Sequence, residues 1–134
     1  MIILGDSSEM EAHIDVIDGQ RREHISWQAG RTLARDMLAF LRDTLQKFGY
    51  EFSDITGIGV LRGPGSYTGL RIGLTVLNTM AHAEKIPIVG ATGEEWRETC
   101  ERRLADGEND EIVLPEYGGE ARVTSPRKKK KKRL

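Results

Sequence analysis

Gly63-Pro64-Gly65-Ser66-Tyr67-Thr68-Gly69-Leu70-Arg71-Ile72-Gly73 is the stretch on which the fold turns. It follows a short apolar run, Ile55-Thr56-Gly57-Ile58-Gly59-Val60-Leu61, which reads as a buried strand. The spacing of apolar residues then predicts a helix from Tyr67 to Lys85. A glycine-rich turn between a strand and a helix often cradles a phosphate at the helix N-terminus. The match to known phosphate loops is poor here. The dinucleotide fingerprint asks for glycine at position 68, where Thr68 stands, and no acid follows a second strand about 20 residues on. A P-loop needs Gly-Lys-Ser/Thr, and no lysine lies between Lys47 and Lys85. Pro64 also removes an amide donor.

The same stretch carries a packing reading. Gly69 and Gly73 lie four apart on one helix face, and each glycine costs a helix interior up to ~1 kcal/mol relative to alanine. Close approach of another backbone would offset that cost. Leu77, Met80 and Ala81 continue this face, while Leu70 and Leu74 lie on the other side. A helix apolar on two sides is expected to be buried on two sides. One side would meet the sheet of its own chain; the other would meet a second copy, a partner, or the first helix.

Upstream, residues 28–48 have a helical period: Leu33, Met37, Phe40, Leu41, Thr44, Leu45 and Phe48 form a stripe that Leu38 widens, with Gly49 as the stop. Before it, residues 12–17 and 20–26 read as two strands of a hairpin, with Asp18-Gly19 as a type I′ turn. Ile2 to Leu4 is a first strand, ending in the loop Gly5-Asp6-Ser7-Ser8. Downstream, Pro87-Ile88-Val89 is a short strand. Thr92 and Glu95 form a capping-box pattern opening a third helix that runs to about Leu104, and residues 111–114 are a last strand candidate. The order is strand, hairpin, helix, strand, helix, strand, helix.

The chain has 134 residues, 38% of them apolar and 31% charged, so one domain is expected. Its net charge of −1 hides an asymmetry. Residues 121–134 hold eight of the 20 lysines and arginines and none of the 21 acids, which leaves an acidic body and a basic arm. The single cysteine, Cys100, fits a reducing compartment and rules out a disulfide scaffold. The opening residues lack a basic n-region, and no apolar run reaches the ~18 residues of a membrane span. A cytoplasmic protein with no membrane contact is expected. His13, His24 and His82 show no metal-ligand spacing, and Trp27 and Trp96 read as packing residues.

Residues 63–73 resemble the Gly-Pro-Gly-Ser-Phe/Tyr-Thr-Gly-Leu-Arg-Ile-Gly signature of the TsaB (YeaZ) family, which takes part in making threonylcarbamoyladenosine on tRNA. Ile2 to Ser8 resembles that family's opening strand and loop, with Gly5 and Ser7 as substitutions. Ile86-Pro87-Ile88-Val89-Gly90 resembles its Ile-Pro-Leu-Val-Gly strand, so the resemblance covers about residues 1–100. It implies an α/β fold: a single half of the actin/Hsp70-like (ribonuclease H-like) architecture, a mixed sheet with a β-hairpin followed by alternating helices and strands. Residues 1–114 would form this domain and residues 115–134 a basic, disordered tail.

By the same resemblance the chain is a non-catalytic subunit. It pairs with TsaD, the paralogous transferase that holds metal and the threonylcarbamoyl-adenylate, and the ATPase TsaE joins them. No cofactor is expected in this chain; ATP and metal belong to the partner subunits. Pairing through the first two helices, with the partner or as a homodimer, makes Leu33, Met37, Leu41, Tyr67, Thr68, Gly69, Leu70, Arg71, Gly73 and Leu77 the implied interface and loop-shaping residues. Longer members carry a second half of similar size, for which residues 91–134 are too few. Pro115-Glu116-Tyr117 looks like the Pro-x-Tyr segment near their ends, as if the intervening half had been deleted. Asp6 then reads as a structural loop acid. The tail residues Arg127, Lys128, Lys129, Lys130, Lys131, Lys132 and Arg133 are solubilising, contact tRNA phosphates, or fold against the acidic body. Two alternatives remain: a small nucleotide-dependent phosphotransferase using the glycine loop, or an RNA-binding module acting through its tail.

Overall fold

A short apolar run builds the first strand, and alternation of more and less buried positions builds the two that follow. In the computed structural model, which describes residues 1–28, 33–64 and 68–116, β1 (Ile2–Asp6), β2 (Glu11–Asp18) and β3 (Arg21–Gln28) form an antiparallel meander. Then come α1 (Leu33–Lys47), β4 (Gly57–Leu61), α2 (Thr68–Glu84), β5 (Ile88–Ala91) and α3 (Trp96–Ala105). The sheet order is β3-β2-β1-β4-β5, with β1, β4 and β5 parallel. This is the mixed five-stranded α/β sheet of an actin-like, ribonuclease H-like half, as the resemblance implied.

The period of two gives the sheet two buried faces. Ile3, Ile14, Val16, Ile58, Val60 and Ile88 face α1 and α2, meeting Met37, Leu41 and Leu45 of the first and Leu70, Leu74, Leu77 and Met80 of the second. Each large apolar side chain so buried contributes ~1.5–3 kcal/mol of transfer free energy. Leu4, Ile17 and Val89 face α3, against Trp96 and Cys100. On β4 the α3 side is glycine. A Cβ on Gly59 would lie 2.7 Å from both Cys100 Cβ and Leu4 Cδ2, so α3 can approach only because that position is bare. Trp27 stacks on Phe40 with ring centroids 4.5 Å apart, the packing role expected of it.

Several boundaries differ from expectation for identifiable reasons. The hairpin closes on the Asp18–Arg21 pair, so Gly19-Gln20 is the loop. Gly19 has φ +63, as a type II′ turn requires at its first central position. Leu38 is 48% exposed and lies off the buried stripe of α1. Gly49, at φ +89, ends α1 as predicted, with Tyr50 N donating to Leu45 O at 2.8 Å. Lys85 takes φ +60, so α2 stops at Glu84. Gly93 at φ +89 cannot continue a helix; α3 starts at Trp96, and Thr92 is not its cap.

Residues 111–114 are not a strand. Glu111 has φ +68, which breaks the extended run. The chain after α3 instead forms a strap along the free edge of β5. Asp110 N donates to Ile88 O at 2.8 Å, Ile88 N to Asn109 Oδ1 at 3.1 Å and Gly90 N to Asp110 Oδ2 at 3.0 Å. The strap then crosses to α2, where the Asn78 side chain donates to Val113 O at 2.9 Å and accepts from Val113 N at 2.8 Å. Glu116 N donates to Arg62 O at 2.8 Å, so ordered packing runs through the Pro115-Glu116 pair. No helix of the described residues is long and apolar enough to cross a membrane.

Candidate docking face on the helix pair

The glycine face of α2 turns inward. A Cβ on Gly73 would lie 2.0 Å from Ser7 Oγ and 2.6 Å from Ser7 Cβ, in the loop after β1 of the same chain. The close approach predicted for this face is therefore internal at Gly73, and its other party there is neither a partner nor the first helix. Gly69, Leu70 and Leu77 are buried on the same side, and Met37 and Leu41 are buried on α1. These six residues, with Gly73 among them, shape the body and offer no side-chain surface in the free chain. The side chain of Leu33 and all of Tyr67 lie outside the described residues, as do Arg127 to Arg133.

The buried apolar residues of α2 all belong to one core cluster, so the two buried sides expected of it merge into a single arc. At its edge Leu74 and Asn78 meet the strap, whose residues 111–115 line a groove of about 560 Å³ with Arg71, Thr75, Thr79 and His82. A smaller depression of about 340 Å³ lies between Thr68, Arg71, Ile72, Thr75 and Val76. Arg71 and Thr75 stand between the two. Of the described residues singled out from the sequence, the structure brings Thr68 and Arg71 together on this exposed face and withdraws Met37, Leu41, Gly69, Leu70, Gly73 and Leu77 into the core. Sequence reasoning missed Ile72, Thr75 and Val76 on α2, and Ile112 and Leu114 on the strap, which are 65% and 64% exposed. The four-residue step Arg71, Thr75, Thr79 was the available signal, a polar ridge on a helix otherwise read as buried on two sides.

Asp6, Cys100 and Asp110 are committed to holding the fold. Asp6 Oδ1 accepts from Ser8 N at 2.8 Å and Ser8 Oγ at 2.6 Å, the loop-holding role read from the sequence. Cys100 is fully buried, and burial pushes its thiol up to about 11, far from a thiolate nucleophile. Arg103 holds the Asp110 carboxyl below its ordinary value, with Nη2 at 2.5 Å from Oδ1, and ties α3 to the strap.

Comparison with known proteins bears on this geometry. A family model described as "TsaD: tRNA N6-adenosine threonylcarbamoyltransferase" matches residues 27–93. The tRNA threonylcarbamoyladenosine biosynthesis protein TsaB of Escherichia coli (strain K12) is 28% identical over 125 residues, covering 87% of this chain and 49% of that protein. The tRNA N6-adenosine threonylcarbamoyltransferase of Syntrophus aciditrophicus (strain SB) is 35% identical over 82 residues, 57% of this chain and 24% of that protein. Among solved structures, YeaZ from Pseudomonas aeruginosa superposes with a TM-score of 0.63 at 25% identity, covering 73% of this chain and 49% of that one. The chain spans half or less of the length of each of these proteins.

Proposed function

Because the chain belongs to the TsaD family, whose model spans half of it, and is TsaB/YeaZ-like within that family, we propose that it is a partner subunit in threonylcarbamoyladenosine biosynthesis on tRNA. The observation that carries this reading is the similarity to E. coli TsaB along 87% of the chain. On this reading the chain contributes no catalytic group. A TsaD-like subunit performs the transfer, a TsaE-like ATPase joins the assembly, and nucleotide and metal are held by those partners. The buried Cys100 and the Ser8-bound Asp6 support it, because each is occupied in holding the fold.

Docking is assigned to the exposed faces of α1 and α2, centred on Thr68, Arg71 and Thr75, with the buried stripe holding the two helices at their spacing. The same face serves a homodimer when the partner is absent. The basic residues 127–133 contact tRNA phosphates.

Co-purification with the TsaD-type transferase of the same organism tests the assignment. The wild-type chain is expected to elute with it. Arg71→Glu reverses a charge at the centre of the face and should weaken the complex at least ~10-fold, an effect of about 1.4 kcal/mol, with an unchanged melting temperature. Failure of the wild-type chain to bind overturns the subunit role. A fully binding Arg71→Glu variant overturns the placement of the face alone. Tight calorimetric binding of ATP to the isolated chain would favour a small phosphotransferase instead.

A further inference from the structure

The polar side of the hairpin carries a cluster that neither the core nor the docking face uses. The register pairs His13 with Ser26 and Asp15 with His24. His13 and His24 therefore stand on the same face of neighbouring strands, two positions out of step, close enough for long side chains to meet. This is the α3 side of the sheet, since Asp15 Oδ2 accepts from Arg97 Nε at 2.7 Å. His13 Nδ1 and His24 Nε2 lie 3.3 Å apart. The second nitrogen of each ring faces a carboxylate: His24 Nδ1 bonds Asp15, and His13 Nε2 lies 3.7 Å from Glu11 Oε1. The Asp15 side chain is only 14% exposed and is held by Arg97, so it fixes the His24 ring.

A carboxylate on one imidazole nitrogen is the usual support of a metal-bound histidine, because it keeps the proton there and turns the other lone pair outward. Two nitrogens bound at ~2.0–2.1 Å to a tetrahedral ion are ~3.3–3.4 Å apart, and the observed separation falls at that value. We propose that His13 Nδ1 and His24 Nε2 form a two-histidine site for a divalent transition-metal ion, with Zn²⁺ as the reference ion. When the ion binds, the single ring proton of neutral His13 sits on Nε2, toward Glu11, which leaves the Nδ1 lone pair for the ion. Asp15 and Glu11 are positioning residues and water fills the remaining coordination positions. Among the described residues no group of three or more His, Cys, Asp or Glu gathers as ligands, so this is an open site with two protein ligands. The His24 side chain is 52% exposed, which gives the ion a path from solvent. Bound metal cross-links β2 to β3.

Calorimetric titration of the untagged full chain with zinc chloride in a non-coordinating buffer tests this. One saturable site per chain is expected, with a raised melting temperature. His13→Ala and His24→Ala should each weaken binding at least ~10-fold, and Asp15→Asn by ~10–100-fold. His82→Ala, on α2, should change nothing. Should a hairpin variant fold poorly, imidazole NMR of the wild-type chain decides: Zn²⁺ must shift the ring signals of His13 and His24 and leave those of His82. No saturable binding, undiminished binding by the His13→Ala/His24→Ala double variant, or unshifted hairpin imidazoles overturns the proposal.

Discussion

At position 73 there is no room for a side chain, and the reason lies seven residues from the start of the chain. Gly73→Ala would place a methyl 2.0 Å from Ser7 Oγ. Alanine gains up to ~1 kcal/mol of helix propensity, but overpacking costs ~1–3 kcal/mol, and the backbone-bound Ser7 Cβ at 2.6 Å cannot rotate away as a hydroxyl can. The variant should be less stable than wild type by ~1–2 kcal/mol in urea unfolding. Adding Ser7→Gly should restore most of the loss, since residues in contact are not additive. A Gly73→Ala chain as stable as wild type would show that the loop yields freely. The same geometry disqualifies Gly73→Leu as a probe of partner binding: it would disrupt the body before it touched a partner. The informative substitution is the exposed Arg71, two residues before the same glycine and on the opposite side of the helix.

At the scale of elements, the strap is the feature with the clearest consequences. Asn78 substitutes for a strand partner by bonding both the N–H and the C=O of Val113. Asn78→Ala leaves both groups without that partner, at ~1–3 kcal/mol, and the Val113 amide should lose hydrogen-exchange protection while the β1 and β4 amides keep theirs. The Arg103–Asp110 pair adds a pH dependence. The folded carboxyl of Asp110 lies below its unfolded value, chiefly through the Arg103 hydrogen bond. Its contribution is therefore complete above about pH 4, and is lost as pH falls through the folded value. Strap amides should open first on acidification, and Asp110→Asn should flatten that part of the profile. None of this was visible in the sequence, where residues 111–114 read as a strand: the edge of β5 is satisfied by the side chains of Asn109 and Asp110, a tertiary arrangement without local period. What periodicity controls was legible. The hairpin, α1, α2 and their order follow from steps of two and three to four, and Gly49 marked its helix end. The turn slipped by one residue because Asp-Gly and Gly-Gln are both acceptable closures. The docking residues were half legible: the sequence shows which side chains of α2 are apolar, but whether a buried glycine meets a partner or a loop of its own chain depends on where Ser7 lies. The His13–His24 pair has no signal at a spacing of 11 residues; it emerges only from the strand register.

At the scale of the whole molecule, a sheet covered on both faces is combined with an unequal distribution of charge. The body through residue 120 holds 12 basic and 21 acidic groups, and the arm beyond it holds eight basic groups and no acid. Two roles for the arm make opposite predictions when residues 117–134 are removed. If the arm neutralises the body, its loss leaves the acidic charge uncompensated and lowers the melting temperature, most of all at low ionic strength. If it engages tRNA phosphates, thermal unfolding stays as it was, because the shortened chain keeps all the described packing through Glu116. The loss then falls on RNA affinity, and the slope of log K against log salt flattens by ~0.7–0.9 for each phosphate contact removed. The proposed subunit role favours the second outcome. Titrating tRNA into the intact and shortened chains across 50–200 mM salt, with melting curves at both ends, separates the two: an unchanged slope with a lowered melting temperature would move the arm from the RNA to the protein's own surface.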